Sequence, residues 1–273
     1  MRFRIIKNIF SSTFLLSEKE LMIDEPSKFN WKIPIVLLTA AFSLLLVEYF
    51  GRNPGYTLLV DIFQALKFDG LSIPLKKFIE KSSNPQIHQL FYWVGIIFVF
   101  YILCPLLIIK FLLKEKVSSY GLQRGHIFKH YKIYLIMLLI MIPVVLIFST
   151  TKSFQARYPF YRLSLGETLY PFFWIWQILY FVQFIGVEFF FRGFLLHGLK
   201  HKFGYYSVFI MTIPYCMVHF GKPMPETISA IFAGIILGTL SLKSNSIWMG
   251  VAIHYSVAIT MDMAAIWHLG YFG

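Results

Sequence analysis

Residues 170–196 read YPFFWIWQILYFVQFIGVEFFFRGFLL, and the fold follows from this stretch. Tyrosine aside, its only ionisable groups are Glu188 and Arg192. An apolar run exceeding the roughly 20 residues needed to cross a hydrocarbon core reads as a membrane-spanning helix. Charges at membrane depth are costly, so by default the pair marks a functional site. A spacing of four puts both side chains on one helix face, where carboxylate and guanidinium can meet. The alternative reading is a structural ion pair through which Arg192 anchors the helix near the headgroups.

Outward from this run the same composition continues. The chain has 273 residues, 58% of them apolar, 19% aromatic and only 14% charged, where a soluble domain carries about 25% charged residues. The expected fold is therefore all-α, a polytopic transmembrane helix bundle. Hydropathy places seven spans, at residues 33–49, 90–113, 131–148, 170–190, 205–220, 227–242 and 247–269. The fourth helix is expected to continue to about Leu199. Between the first two spans, Asp61, Gln64 and Lys67 interrupt Leu58, Leu59, Ile62, Phe63 and Leu66 at helical spacing. That pattern suits amphipathic helix in the interface; an eighth, poorly apolar span is the alternative.

The expected organisation is an N-terminal segment, residues 1–31, followed by one membrane domain, residues 32–273. Arg2, Arg4 and Lys7 precede a short apolar stretch in the first part, which reads as a cytoplasmic segment lying on the membrane surface. Lys and Arg are modestly more frequent in the loops sharing a side with the N-terminus, so that side is expected to be cytoplasmic.

The net charge of +12 does not argue for nucleic acid. The basic residues sit mainly between apolar runs, where anionic headgroups meet them. Cys104 and Cys216 lie in apolar runs and read as small buried hydrophobes, not as a disulfide framework or metal cluster. Ala230, Gly234 and Gly238 recur every four residues, a stripe that lets two helices approach closely. The paired broken helices of many transporters are not evident.

Three ionisable features stand out in the last hundred residues: Glu188 with Arg192, His219 near the end of the fifth span, and His254 inside the seventh. One carboxylate and two histidines on separate spans can converge in a helical bundle. A carboxylate in a low-dielectric pocket can act as general base on water. Two neutral histidines can hold a zinc ion that leaves a position for water, or donate to an oxyanion without a metal. His-Glu-x-x-His and Gly-x-Ser-x-Gly are both absent. His197 and His201, beside Lys200 and Lys202 at a helix end, read as solvated interfacial groups. A proton relay in a transporter, built on the same three features, is a further reading.

The order and spacing of these residues resemble the CAAX protease and bacteriocin-processing family, also called Abi, which includes the type II CAAX prenyl endopeptidases. The family's Glu-Glu-x-x-x-Arg motif, commonly followed by Gly, is matched by Val187-Glu188-Phe189-Phe190-Phe191-Arg192-Gly193 except at its first position. Its Phe-x-x-x-His motif is matched from Tyr215 to His219, with Tyr for Phe. Its third motif, His followed four residues later by Asn or Asp, is matched at His254 but not at Ala258. Tyr120-Gly121-Leu122-Gln123-Arg124 resembles an element frequent upstream of the core, and Gly221 to Glu226 also looks like family sequence.

The resemblance implies an intramembrane endopeptidase with a core over about residues 120–273. It implies catalysis by Glu188, His219 and His254 with Arg192 in electrostatic support, and zinc on His219 and His254 or a metal-independent glutamate mechanism. The partners implied are membrane lipids and a membrane-bound or lipidated peptide, in a bacterial plasma membrane. The usual water-activating position is occupied by Val187, so either Glu188 takes over as base or the chain is a catalytically impaired member acting as a peptide-binding, immunity or scaffolding membrane protein. Glu226 and Asp262 are secondary candidates; Asp262, two turns beyond His254, is the expected compensation for Ala258.

Overall fold

The computed structural model describes residues 29–51, 55–124, 130–164 and 166–271. The surface-lying segment expected over residues 1–31 falls outside these, except for its last three residues. In hydrocarbon every backbone amide must find its partner within the chain, so apolar runs close into helices. Among the described residues there is no strand. Six helices among the described residues are long and apolar enough to cross a membrane: α1 Lys32–Gly51, α4 Pro85–Leu112, α5 Tyr131–Phe148, α7 Phe172–Phe203, α9 Met224–Ser244 and α10 Trp248–His268. Between α1 and α4 lie α2 Gly55–Ala65 and α3 Asp69–Glu80, too short to cross. Leu66, Phe68, Leu71 and Ile73 are exposed there, as interfacial helices require. A short α6, Lys152–Arg157, follows α5.

The fifth of the seven expected spans is not a full one. Its residues form α8, Tyr206–Met217, of 12 residues, a rise of about 18 Å against a hydrocarbon core of about 30 Å. Pro214 sits in its last turn, and Gly221 turns the chain back with a φ of +81°. The small-residue stripe of α9 packs on this half-helix. A Cβ on Gly234 would lie 2.8 Å from the Thr212 side chain, and one on Gly238 would lie 2.9 Å from Met211.

α7 is the opposite case, a single helix of 32 residues that carries Glu188 and Arg192 at mid-length. It widens into a π-helical stretch over Phe189–Leu195, a local form frequent at functional sites. Phe190, Phe191 and Phe194 are wholly buried there, and Tyr101 of α4 stacks on Phe190 at 4.2 Å. This aromatic layer is the centre of the core. Gly193 lets the Tyr120 carbonyl approach to 2.7 Å of where a Cβ would stand. That loop is held by Lys32 and Tyr120, both bonded to Glu115 at 2.8 and 2.5 Å, and by Ile247 N–H donating to the Gly121 carbonyl at 3.0 Å.

Candidate active site

Glu188 and Arg192, one turn apart on α7, are both fully buried, with Nη1 donating to Oε1 at 3.0 Å. The guanidinium also lies 3.7 Å from the centroid of the Tyr215 ring. A buried ion pair repays its desolvation only with further hydrogen bonds. The further bond comes from α10, where His254 Nδ1 donates to the same Oε1 at 2.9 Å. Gly250, one turn earlier on α10, makes room for the other oxygen, since a Cβ there would stand 2.5 Å from Glu188 Oε2. Among the described groups Oε2 has no hydrogen-bond partner.

His219 lies just past the end of α8, 7% exposed, with Nδ1 bonded to the Tyr215 carbonyl at 2.8 Å. A carbonyl only accepts, so this partner assigns the proton to Nδ1 and leaves Nε2 as an acceptor. The bond to Glu188 assigns the same tautomer to neutral His254. Tyr215, the residue standing for Phe in the second motif, is the shelf between them. Its ring meets His219 and His254 edge-on, at centroid distances of 4.8 and 6.2 Å.

Two chambers meet at the histidines. One, of about 480 Å³, is walled almost entirely by apolar side chains of α5, α9 and α10, among them Ile140, Val144, Phe232 and Ile253. The other, of about 520 Å³, is more polar and is walled by α1, α4 and α7, with Glu48, Gln89, Arg157 and Gln183 in its lining. His219, His254, Tyr180, Phe184 and Lys222 line both. Val187 faces the polar chamber, while Glu188 lines neither. Successive helix residues diverge by about 100°, which turns Glu188 away from the chamber and onto α10.

The structure therefore brings Glu188, Arg192, His219 and His254 together. The half-length α8 makes this possible, because it stops His219 at the depth of the middle of α7. Glu226 lines the apolar chamber, but its oxygens are taken by Tyr158 at 2.7 Å and Lys222 at 2.6 Å. Burial, and then Glu226, push the Tyr158 phenol well above its ordinary value, so it stays a donor. Asp262 is not at the site. Its carboxylate accepts from Trp176 and Gln177 at 2.9 Å and from the Phe160 backbone N–H at 3.2 Å, which makes it an anchor for the loop before α7 and no substitute at Ala258. His197 also differs from its expected solvated role. It is 2% exposed, bonded to Ser241 and Lys200, because α7 runs on through the bundle.

Among the described residues no three His, Cys, Asp or Glu side chains are grouped to hold a metal ion. His219 and His254 offer two Nε2 nitrogens, fewer than the three protein ligands of a catalytic zinc. This donor set does not fit zinc as it stands, and no step below passes through a metal. Gly250 and Gln183 are the site residues that sequence patterns missed; a lone Gly or Gln in an apolar helix carries no distinctive spacing.

A comparison with family models matches residues 169–260 to Type II CAAX prenyl endopeptidase Rce1-like. The match opens just before α7, closes within α10, and contains Glu188, Arg192, His219 and His254. It supports the resemblance read from the motifs: over about a third of the chain, this segment is similar to the type II CAAX prenyl endopeptidases. No curated protein and no solved structure matches the chain.

Proposed function

We propose that this protein is an intramembrane endopeptidase that hydrolyses a peptide bond in a membrane-bound or lipidated peptide. His254 is the water-activating base and Glu188 the carboxylate that orients it. The observation carrying this is the 2.9 Å bond from His254 Nδ1 to Glu188 Oε1, with the ring lining both chambers. A carboxylate behind an imidazole fixes its tautomer and stabilises the imidazolium that forms. Glu188, walled off by Gly250 and Arg192, acts through His254 and not on water directly.

In this reading His254 Nε2 takes a proton from water while the oxygen attacks the scissile carbonyl carbon. The C–N bond then breaks, and the imidazolium returns the proton to the leaving amine. His219, with an acceptor Nε2, holds the second hydrogen of the water; in that tautomer it cannot donate to an oxyanion. Lys222, on the shared wall with one of its three donors given to Glu226, supplies a cation for the oxyanion. The lipid chain lies in the apolar chamber and the peptide in the polar one. The same reading makes residues 32–273 one membrane domain with its core at about 120–273. It places the N-terminus on the cytoplasmic face of a bacterial plasma membrane, supported by the Lys and Arg bias.

The test is cleavage of a quenched fluorescent lipidated peptide by the full chain in proteoliposomes. Cleavage by the wild type, abolished in His254→Ala, supports the reading. Binding without cleavage overturns it in favour of a peptide-binding family member, the alternative that Val187 in the chamber wall favours.

A further inference from the structure

Gln183 is one group of the polar chamber that the mechanism leaves unused. It stands one turn before Val187 on α7, and Tyr180, Gln183, Phe184 and Val187 all face the polar chamber. Its side chain is only 9% exposed, and its Oε1 is buried without a hydrogen-bond partner among the described residues. Buried polar atoms are nearly always paired, and an unpaired one demands a reason. The carboxamide carries both an acceptor and two donors, the complement of a peptide group. Gln89 of α4 lines the same chamber, as does Gln86, whose Nε2 donates to the Phe160 carbonyl at 3.3 Å. A volume of about 520 Å³ lies within the usual range for a ligand site, about 300–1,000 Å³.

We infer that Gln183 is the peptide-backbone anchor of the polar chamber. Its carboxamide pairs with the main chain of the bound peptide next to the scissile bond, and so sets which bond reaches His254. The recognition is of backbone and not of side chain. The chamber therefore takes an extended peptide, which leaves its N–H and C=O groups free to be bonded. Gln183 is a substrate-binding residue, with no part in proton transfer. This inference rests on the peptidase reading for the identity of the ligand, and on the unpaired buried amide for the site.

The experiment uses the full chain in proteoliposomes with a farnesylated peptide ending in an aliphatic tripeptide. Its analogues are N-methylated at one backbone position at a time. Gln183→Leu keeps the volume and removes the hydrogen bonds; Gln183→Asn keeps the carboxamide one methylene shorter. The expected result is a roughly tenfold rise in KM or Kd for Gln183→Leu, the size of one hydrogen bond at about 1.4 kcal/mol, with partial recovery in Gln183→Asn. One N-methyl position should cost the wild type as much and cost Gln183→Leu nothing further. Additive losses at every position, or unchanged KM and Kd in Gln183→Leu, overturn the inference. If the wild type binds but does not cut, the Kd comparison still decides the role of Gln183 while the peptidase reading falls.

Discussion

Gly250→Ala would test the role of Glu188 without touching its chemistry. A methyl at residue 250 would stand 2.5 Å from Oε2 and 3.2 Å from the carboxyl carbon, where ordinary contact begins near 3.4 Å. The carboxylate must retreat by about 0.9 Å to restore normal contact. It is pinned through Oε1 by bonds of 3.0 Å to Arg192 and 2.9 Å to His254, and a retreat of that size takes at least one of them out of range. One hydrogen bond to a charged group is worth about 1.5–3 kcal/mol, while Ala in place of Gly inside a helix returns about 1 kcal/mol. The net loss of stability is therefore small, about 0.5–2 kcal/mol. A displacement near 1 Å of a positioning group can cost about 100-fold in rate. The expected outcome is kcat/KM down about 100-fold on the lipidated peptide, with the melting temperature in detergent little changed. Adding Glu188→Asp, which shortens the side chain, should restore part of the loss. Gly250→Ala at wild-type activity would refute the reasoning, because it would mean that the placement of Glu188 against α10 does not matter to His254.

Glu188→Gln should abolish cleavage and destabilise the fold by about 3–5 kcal/mol, since it leaves Arg192 buried without a counter-charge. In Glu188→Gln with Arg192→Met the stability should return and the activity should not; a double variant that cuts normally would make the pair purely structural. Burial works to raise the Glu115 carboxyl, but hydrogen bonds from Lys32 and Tyr120 outweigh it and hold the group below its ordinary 4.5. A depressed carboxylate stabilises the fold above the unfolded value and loses this as pH falls through the folded one. The melting temperature of the wild type should therefore fall more steeply below pH 4.5 than that of Glu115→Gln; parallel curves would show that this bond contributes nothing.

The membrane fold was legible because long apolar runs have few alternatives. The motif residues were legible because charge and imidazole are rare inside them. The depth of each group was not. Hydropathy counts residues 205–220 as a span since Val218 and Phe220 are apolar. Whether the helix ends before them depends on Pro214 and on the positive φ at Gly221, and these are settled by packing against α9. The same blindness hid Gly250, whose meaning is the absence of a side chain opposite Glu188. Asp262 shows the converse error: its eight-residue spacing from His254 was right for a shared face, yet Trp176 and Gln177 claim its carboxylate. Helical geometry did anticipate one site detail, the meeting of Glu188 and Arg192 one turn apart, which the structure shows at 3.0 Å.

On the proposed peptidase reading, the wall shared by the two chambers imposes a coincidence requirement. A free lipid can fill one side and a free peptide the other, and neither alone is held on both sides of His219 and His254. Joining the halves turns the second binding event into an intramolecular one, at an effective concentration that can reach the millimolar range for a short connection. Selectivity for the conjugate then needs no residue that reads the junction. It follows from where the partition stands, and each half supplied separately acts as a competitor.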